Sequence, residues 1–167
     1  MRIETERLVL RPLEPGDLDG FAPIFADPEV MRFIGDGTGT RDETAEWLER
    51  WIATFGEIER GHLAVTLRDT DELIGRCGLV LRELAHGRET EISYLLGRDR
   101  WGRGYATEAA RAVRDHAFDE LGERRLVSLI AEGNHASEAV ARRIGMALER
   151  WLEFHGRASG MWVIERS

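Results

Sequence analysis

Two glycines at alternate positions, Gly102 and Gly104, lie in the run Trp101-Gly102-Arg103-Gly104-Tyr105-Ala106-Thr107-Glu108. A strand-like stretch, residues 90–97, precedes the run, and a helix-like one, residues 106–121, follows it. Glycines at a strand-to-helix turn let the backbone fold tightly and bare its N–H groups. The first turn of the helix adds unpaired N–H donors and the positive end of its dipole. Such a place attracts a phosphate or pyrophosphate. Five arginines (Arg98, Arg100, Arg103, Arg111, Arg114) oppose only Asp99 and Glu108 around it, a local excess of three positive charges in a chain of net charge −8. Arg98 and Arg103, beside the loop, are candidate ligand contacts, whereas Arg111 and Arg114 read as a solvated helix face.

Two nucleotide motifs fit poorly. A dinucleotide-binding finger wants a third glycine where Thr107 stands, and its acidic partner would be Asp119 or Glu120, which lie on the helix rather than on a second strand. A Walker A loop needs a lysine, and all 23 basic residues are arginine. The same lack removes Schiff-base chemistry. Cys77, the only cysteine, excludes an internal disulfide and reads as a buried, inert thiol. The five histidines are scattered, so no metal site is expected. The acidic balance argues against nucleic acid as a partner and suits a cationic substrate as readily as it serves solubility. With no apolar run of membrane-spanning length and no secretory signature at residues 1–7, the expectation is a cytoplasmic protein that does not enter membranes.

The elements that must position the loop follow from periodicity. Residues 7–13 predict a first strand, with Pro12 placing its end at a sheet edge. Asp17 is placed to cap a short helix through about Ala26, which Asp27-Pro28 stops. A glycine-rich loop at residues 34–40 leads into a helix from about Asp42 to Glu59. Its Trp47, Leu48, Trp51, Ile52, Phe55 and Ile58 form an aromatic core stripe, with a lesser claim for Trp47 or Trp51 on an acceptor pocket. Strands follow at residues 63–68, 73–82, 89–96 and 125–131, the fourth of these after the glycine loop and an alanine-striped helix ended by Gly122. Asn134 or Ser137 caps a further helix ending at Gly145, and strands at 147–155 and 161–166 close the chain across a loop at 156–160. The reading is one α/β domain, residues 1–167, with a mixed, mostly antiparallel twisted sheet of about six to seven strands flanked by about four helices.

The run Glu91-Ile92-Ser93-Tyr94-Leu95-Leu96-Gly97 followed by the glycine loop resembles the GNAT superfamily of acetyl-CoA-dependent N-acetyltransferases, and most of all its RimJ/RimL branch. Asn134-His135-Ala136-Ser137, Arg143-Ile144-Gly145-Met146 and the opening Thr5-Glu6-Arg7-Leu8-Val9-Leu10-Arg11 extend the likeness over nearly the whole chain. It departs at Asp99, where the family commonly has Gln or Arg, and at Ala141, where many members place a tyrosine acid.

The resemblance implies acetyl-CoA as co-substrate, its pyrophosphate held at Trp101, Gly102, Arg103, Gly104, Tyr105, Ala106 and Thr107, with Arg98 beside them. An amine acceptor, a protein N-terminus or a small molecule, would attack directly in a ternary complex. Leu95 or Leu96 would offer a backbone N–H to the acetyl oxygen, Asn134 would hold the pantetheine arm, and Glu91 is the candidate general base. Ser137 would protonate the leaving thiolate, with Tyr94 in reserve. A homodimer is in keeping with the family. A catalytically silent acyl-CoA-binding module and transfer of a longer acyl group are the competing readings.

Overall fold

The computed structural model describes residues 1–58 and 60–167. Its strands are β1 (Ile3–Glu4), β2 (Leu8–Pro12), β3 (Gly61–Leu67), β4 (Leu73–Leu84), β5 (Gly87–Leu96), β6 (Arg125–Ala131), β7 (Ala147–Phe154) and β8 (Arg157–Glu165). They form one sheet in the order β1-β2-β3-β4-β5-β6-β8-β7. The helices are α1 (Leu18–Ala26), α2 (Pro28–Met31), α3 (Arg41–Ile58), α4 (Tyr105–Asp119) and α5 (His135–Arg143). Neighbouring strands run antiparallel except β5 and β6, which are parallel because α4 carries the chain across between them.

Helices cover both faces of the sheet. On one side Ala109, Ala110, Val113 and Ala117 of α4 pack on Leu10, Ile74, Ile92 and Leu96, with α5 alongside. Alanines let that helix axis approach the strands closely, so the end of β5 and the start of α4 are held in fixed relation. On the other side Phe21, Phe25 and Leu48 of α1 and α3 gather over Ala64 and Leu95. Phe25 meets Trp47 edge-on with ring centroids 5.7 Å apart, an arrangement aromatic quadrupoles favour.

The α/β reading, the mixed sheet and the main elements agree with the sequence analysis, and several details do not. Among the described residues the strands number eight, because Ile3–Glu4 pairs outside β2; that pairing reaches only Val9 and Leu10, so Pro12 ends its strand with one side unpaired, as expected. The α-helices among the described residues number five, because Asp27 does not merely stop α1. Its side chain accepts from the Glu29 N–H and starts α2. Asp17 makes no cap bond to α1; its carboxylate is taken by Arg11, 2.7 Å away, and by the Glu14 N–H. Ile58 falls off the α3 stripe and is exposed, and Glu59, the expected last residue of that helix, lies outside the described residues. The closing turn is only His155-Gly156, both at positive φ, as a two-residue hairpin turn of right-handed strands requires. Arg157 to Gly160, read as loop, are ladder residues of β8 paired with β7.

Cys77 is fully buried on β4, and burial raises its thiol pKa to about 12. Since the thiolate is the reactive form, a disulfide-exchange reagent at pH 8 is expected to leave the native protein untouched and to titrate one thiol after denaturation. Stoichiometric labelling of the folded protein would contradict this.

Candidate active site

The glycine loop has the geometry of an anion cradle. Gly102 and Gly104 take φ of 72° and 81°, values that side chains disfavour, and Gly104 is the N-cap of α4. The first helical bond runs from the Glu108 N–H to the Gly104 carbonyl at 3.0 Å, so the amides ahead of it are not spent within the helix. Residues 101–104 are exposed. The loop does not hold this shape alone. Arg7 donates through Nη1 to the Arg103 carbonyl at 2.9 Å, pairs with Glu108 at 2.7 Å and lies 4.5 Å from the Tyr105 ring centroid. Burial alone would raise the Glu108 pKa, but bonds from the Thr5 hydroxyl and from Arg7 outweigh it and hold the carboxylate below its usual range. From the other side, Trp101 Nε1 donates to the Leu96 carbonyl at 3.0 Å, tying the loop to the end of β5.

At that end the sheet opens. A single pair, Glu91 and Val127, joins β5 to β6. The Gly97 N–H bonds the Ile74 carbonyl, which makes Leu96 and Gly75 a non-hydrogen-bonded pair and turns the Leu96 amide away from β4. By the same alternation the amides of Ile92 and Tyr94 also face β6. The next rung of a parallel ladder would join the Leu129 N–H to the Ile92 carbonyl, and both groups are diverted. Leu129 donates to Glu91 Oε1 at 3.3 Å, and the Ile92 carbonyl accepts from Ser128 Oγ at 2.8 Å. Beyond this point the Tyr94 and Leu96 amides border a gap between two strands.

The gap adjoins a cleft of about 260 Å³ on the α1–α3 face of the sheet, lined by Trp51, His62, Arg76, Arg82, Glu91, Ser93, Tyr94, Asn134 and Ser137 among others. The loop after α2 (Phe33, Ile34, Gly35) and the β7–β8 turn form its rim, and Arg157 latches the two together through the Arg32 and Gly35 carbonyls at 2.8 and 3.3 Å. A larger cavity of about 510 Å³ lies between α1 and the turn at Arg98–Arg100. It does not reach the gap amides, which the smaller cleft adjoins.

Most of the residues expected to act converge here. Glu91 is buried and engaged at both oxygens, by Arg82 Nε at 2.6 Å and by Leu129. Asn134 is the N-cap of α5, accepting from the Ser137 N–H at 3.3 Å, so Ser137 is not the cap. The Ser137 carbonyl accepts from Tyr94 Oη at 2.9 Å, and burial pushes the Tyr94 phenol pKa upward, which weighs against it as an acid. Others do not converge. Leu95 faces Arg76 as a hydrogen-bonded pair, so its amide belongs to the sheet and the gap-facing amides are those of Tyr94 and Leu96. Arg98 turns to Asp27, 3.0 Å away, at the edge of the larger cavity. Arg114, read as a solvated face, instead bonds the Ile144 carbonyl at 2.6 Å and closes the end of α5. The sequence reading missed His62, Arg76 and Arg82. The available signal was polar residues interrupting apolar strands beside Gly61, Gly75 and Gly78.

A side chain at position 104 would meet both an unfavourable φ, costing about 1–3 kcal/mol, and the Arg7 guanidinium, 3.4 Å from where its Cβ would stand. Gly104→Val is expected to abolish acetyl-CoA binding measured by calorimetry; unchanged affinity would remove the loop as the diphosphate site. His62 resists the protonation that a solvated histidine accepts. Burial, then the charges of Arg76 and Arg82, put its pKa well below the ordinary value. Below about pH 6.5 the unfolded chain therefore binds a proton that the folded one refuses, and stability falls with pH by up to about 1.4 kcal/mol per unit. Unfolding midpoints at pH 7 and 5.5 are expected to converge in His62→Gln; an equal slope in the two proteins would count against this.

The comparisons with known proteins agree with this geometry. Residues 7–147 match the acetyltransferase (GNAT) domain. The uncharacterized N-acetyltransferase p20 of Bacillus licheniformis is 31% identical, over 95% of this chain and 89% of its own. The crystal structure of an acetyltransferase from Agrobacterium tumefaciens is 32% identical with a TM-score of 0.86, covering 99% of this chain and 95% of that one. The ribosomal L7/L12 N-acetyltransferase RimL in complex with coenzyme A shares the fold, with a TM-score of 0.83 at 19% identity over 99% of this chain and 98% of that one. The sheet that opens beside a glycine-loop helix is thus the GNAT arrangement, and this chain belongs to the GNAT acetyltransferase family, as an N-acetyltransferase that uses acetyl-CoA.

Proposed function

We propose that the enzyme acetylates a primary amine by direct attack in a ternary complex. The observation that carries this reading is the divergence of β5 from β6 after one pair, with unspent amides on its border and the polar cleft adjoining it. Acetyl-CoA supplies the acetyl group as a thioester. The amine nitrogen bonds the acetyl carbon, the carbon–sulfur bond breaks, and two proton movements complete the exchange. The residues then divide as follows. The amides of Gly102 to Thr107 receive the diphosphate, and Asn134 holds the pantetheine arm at the head of α5. The Leu96 amide, with that of Tyr94, offers preorganised donors to the oxygen on which charge develops.

Glu91 accepts the proton of the amine through a water. With one oxygen on Arg82 and the other on Leu129, it has spare lone pairs but no free oxygen, and a direct approach by the nucleophile would displace a bond it already makes. Ser137, whose N–H and carbonyl are both engaged, presents its hydroxyl at the cleft wall and returns a proton to the thiolate.

Glu91→Gln keeps an oxygen acceptor for Leu129 and removes the base. It is expected to lower kcat by about 10²–10⁴-fold while leaving acetyl-CoA affinity near wild type, read by free-thiol release on a panel of amines. A full rate in Glu91→Gln would exclude the base. Ser137→Ala should reduce kcat without changing the KM for acetyl-CoA, and a wild-type rate there would exclude the serine.

A further inference from the structure

The cleft holds a charge that neither the fold nor the acetyl-transfer reading above uses. Arg76, in the middle of β4, is only 6% exposed, yet none of the described carboxylates lies within ion-pair distance of it. Its recorded hydrogen bonds all leave from Nη1, to the His62 ring at 2.8 Å and to Ser93 Oγ at 3.2 Å. Nε is buried without a partner. The Trp51 ring centroid is 5.1 Å from the guanidinium carbon, and that of Phe25 5.9 Å, which orients the group without neutralising it. Burial lowers the Arg76 pKa to about 10, so it stays charged at neutral pH. A buried cation without an anion is destabilising and persists where it serves a ligand.

The surroundings repeat the sign. Among the cleft-lining residues Arg76, Arg82 and Arg157 stand against the single carboxylate of Glu91, which Arg82 already engages. A chain of net charge −8 thus presents a positive cleft to its acceptor. The overall charge suits a cationic substrate as readily as it serves solubility; the local distribution disfavours one, since a polyamine or an aminoglycoside would bring further positive charge to these guanidinium groups. Along β5, Ser93 beside Arg76 and Glu91 beside the gap are two residues apart, roughly 7 Å. That separation matches an amine and an acid within one amino-acid or dipeptide unit.

We propose that the acceptor is a small amine carrying a carboxylate, an amino acid or short peptide, and that the Arg76 guanidinium in the cleft receives that carboxylate. This rests on the amine-acetylation reading for the amine, but not for the anion site. Arg76 is a specificity determinant and takes no part in the proton movements.

The test separates the two. N-acetylated amino acids and dipeptides, each as the free acid and as the C-terminal amide, are titrated calorimetrically into the enzyme saturated with coenzyme A. The free acids are expected to bind about 10- to 100-fold more tightly than their amides, with the preferred length deciding between a free amino acid and a peptide. Equal affinity of acids and amides in the wild-type protein overturns the proposal without any variant. In Arg76→Met the acid–amide difference should vanish while the unfolding midpoint stays level or rises, because an unpaired charge has been removed. A preserved difference in that variant overturns the proposal too. The matched free amines are then assayed for acetylation. A preference for acids among the turned-over amines supports both readings. Better turnover of amides, putrescine or kanamycin overturns this one alone. An acid preference in binding with no turnover on any amine supports the anion site and defeats the transferase reading of the cleft.

Discussion

The constraint on which the site depends is the requirement that buried backbone polar groups find partners. Two parallel strands, β5 and β6, separate after a single pair, and a separation inside a sheet normally leaves a rung of donors and acceptors unmet. Here the broken rung is completed by side chains. Glu91 receives the Leu129 N–H and Ser128 donates to the Ile92 carbonyl, so the strands part without stranding either group. The carboxylate at the apex must itself be balanced, and Arg82 does this at 2.6 Å. A polar wedge thus holds the sheet open beside the cleft, and the amides of Tyr94 and Leu96 are freed as a consequence.

The second tie joins the N-terminal segment to the glycine loop. Left-handed glycines make the loop shape accessible, but accessibility is entropy as much as geometry, because glycine loses the most freedom on ordering. Arg7 supplies the compensation through the Arg103 carbonyl, Glu108 and the Tyr105 ring, and Trp101 secures the other flank on Leu96. The cradle is preorganised by contacts nearly a hundred residues apart in sequence. A loop already held in shape adds little ordering cost to the binding of an anion.

Electrostatics is arranged locally against the global balance. The surface is acidic, while the floor of the cleft carries Arg76 and a histidine kept neutral by burial and by its arginine neighbours. Gly78 lies directly across from both His62 and Ser93, and the Gly61 carbonyl is 2.0 Å from where a Cβ on it would stand. Only glycine fits at that point, because the backbone of β3 occupies the space a side chain would need.

Local chemistry made the strands, the two long helices and the glycine loop legible in the sequence, since each depends on periodicity or on glycine placed at a boundary. The same holds for Asn134 as a cap and for the family, whose motifs are short and contiguous. Other features depend on which partner the fold supplies and had no signature in the residues themselves. Asp17 looks like a cap until Arg11 claims it, Arg98 looks like a ligand contact until Asp27 does, and β1 exists only because β2 offers it an edge. Hydrogen-bond parity assigned the gap to the Leu96 amide rather than Leu95, and parity is fixed by the register with β4. Charge composition alone left a cationic acceptor and simple solubility equally open. Only folding gathers Arg76, Arg82 and Arg157 from two separate hairpins around one carboxylate, because the sum of charges belongs to the chain and the field in a cleft belongs to the few groups that line it.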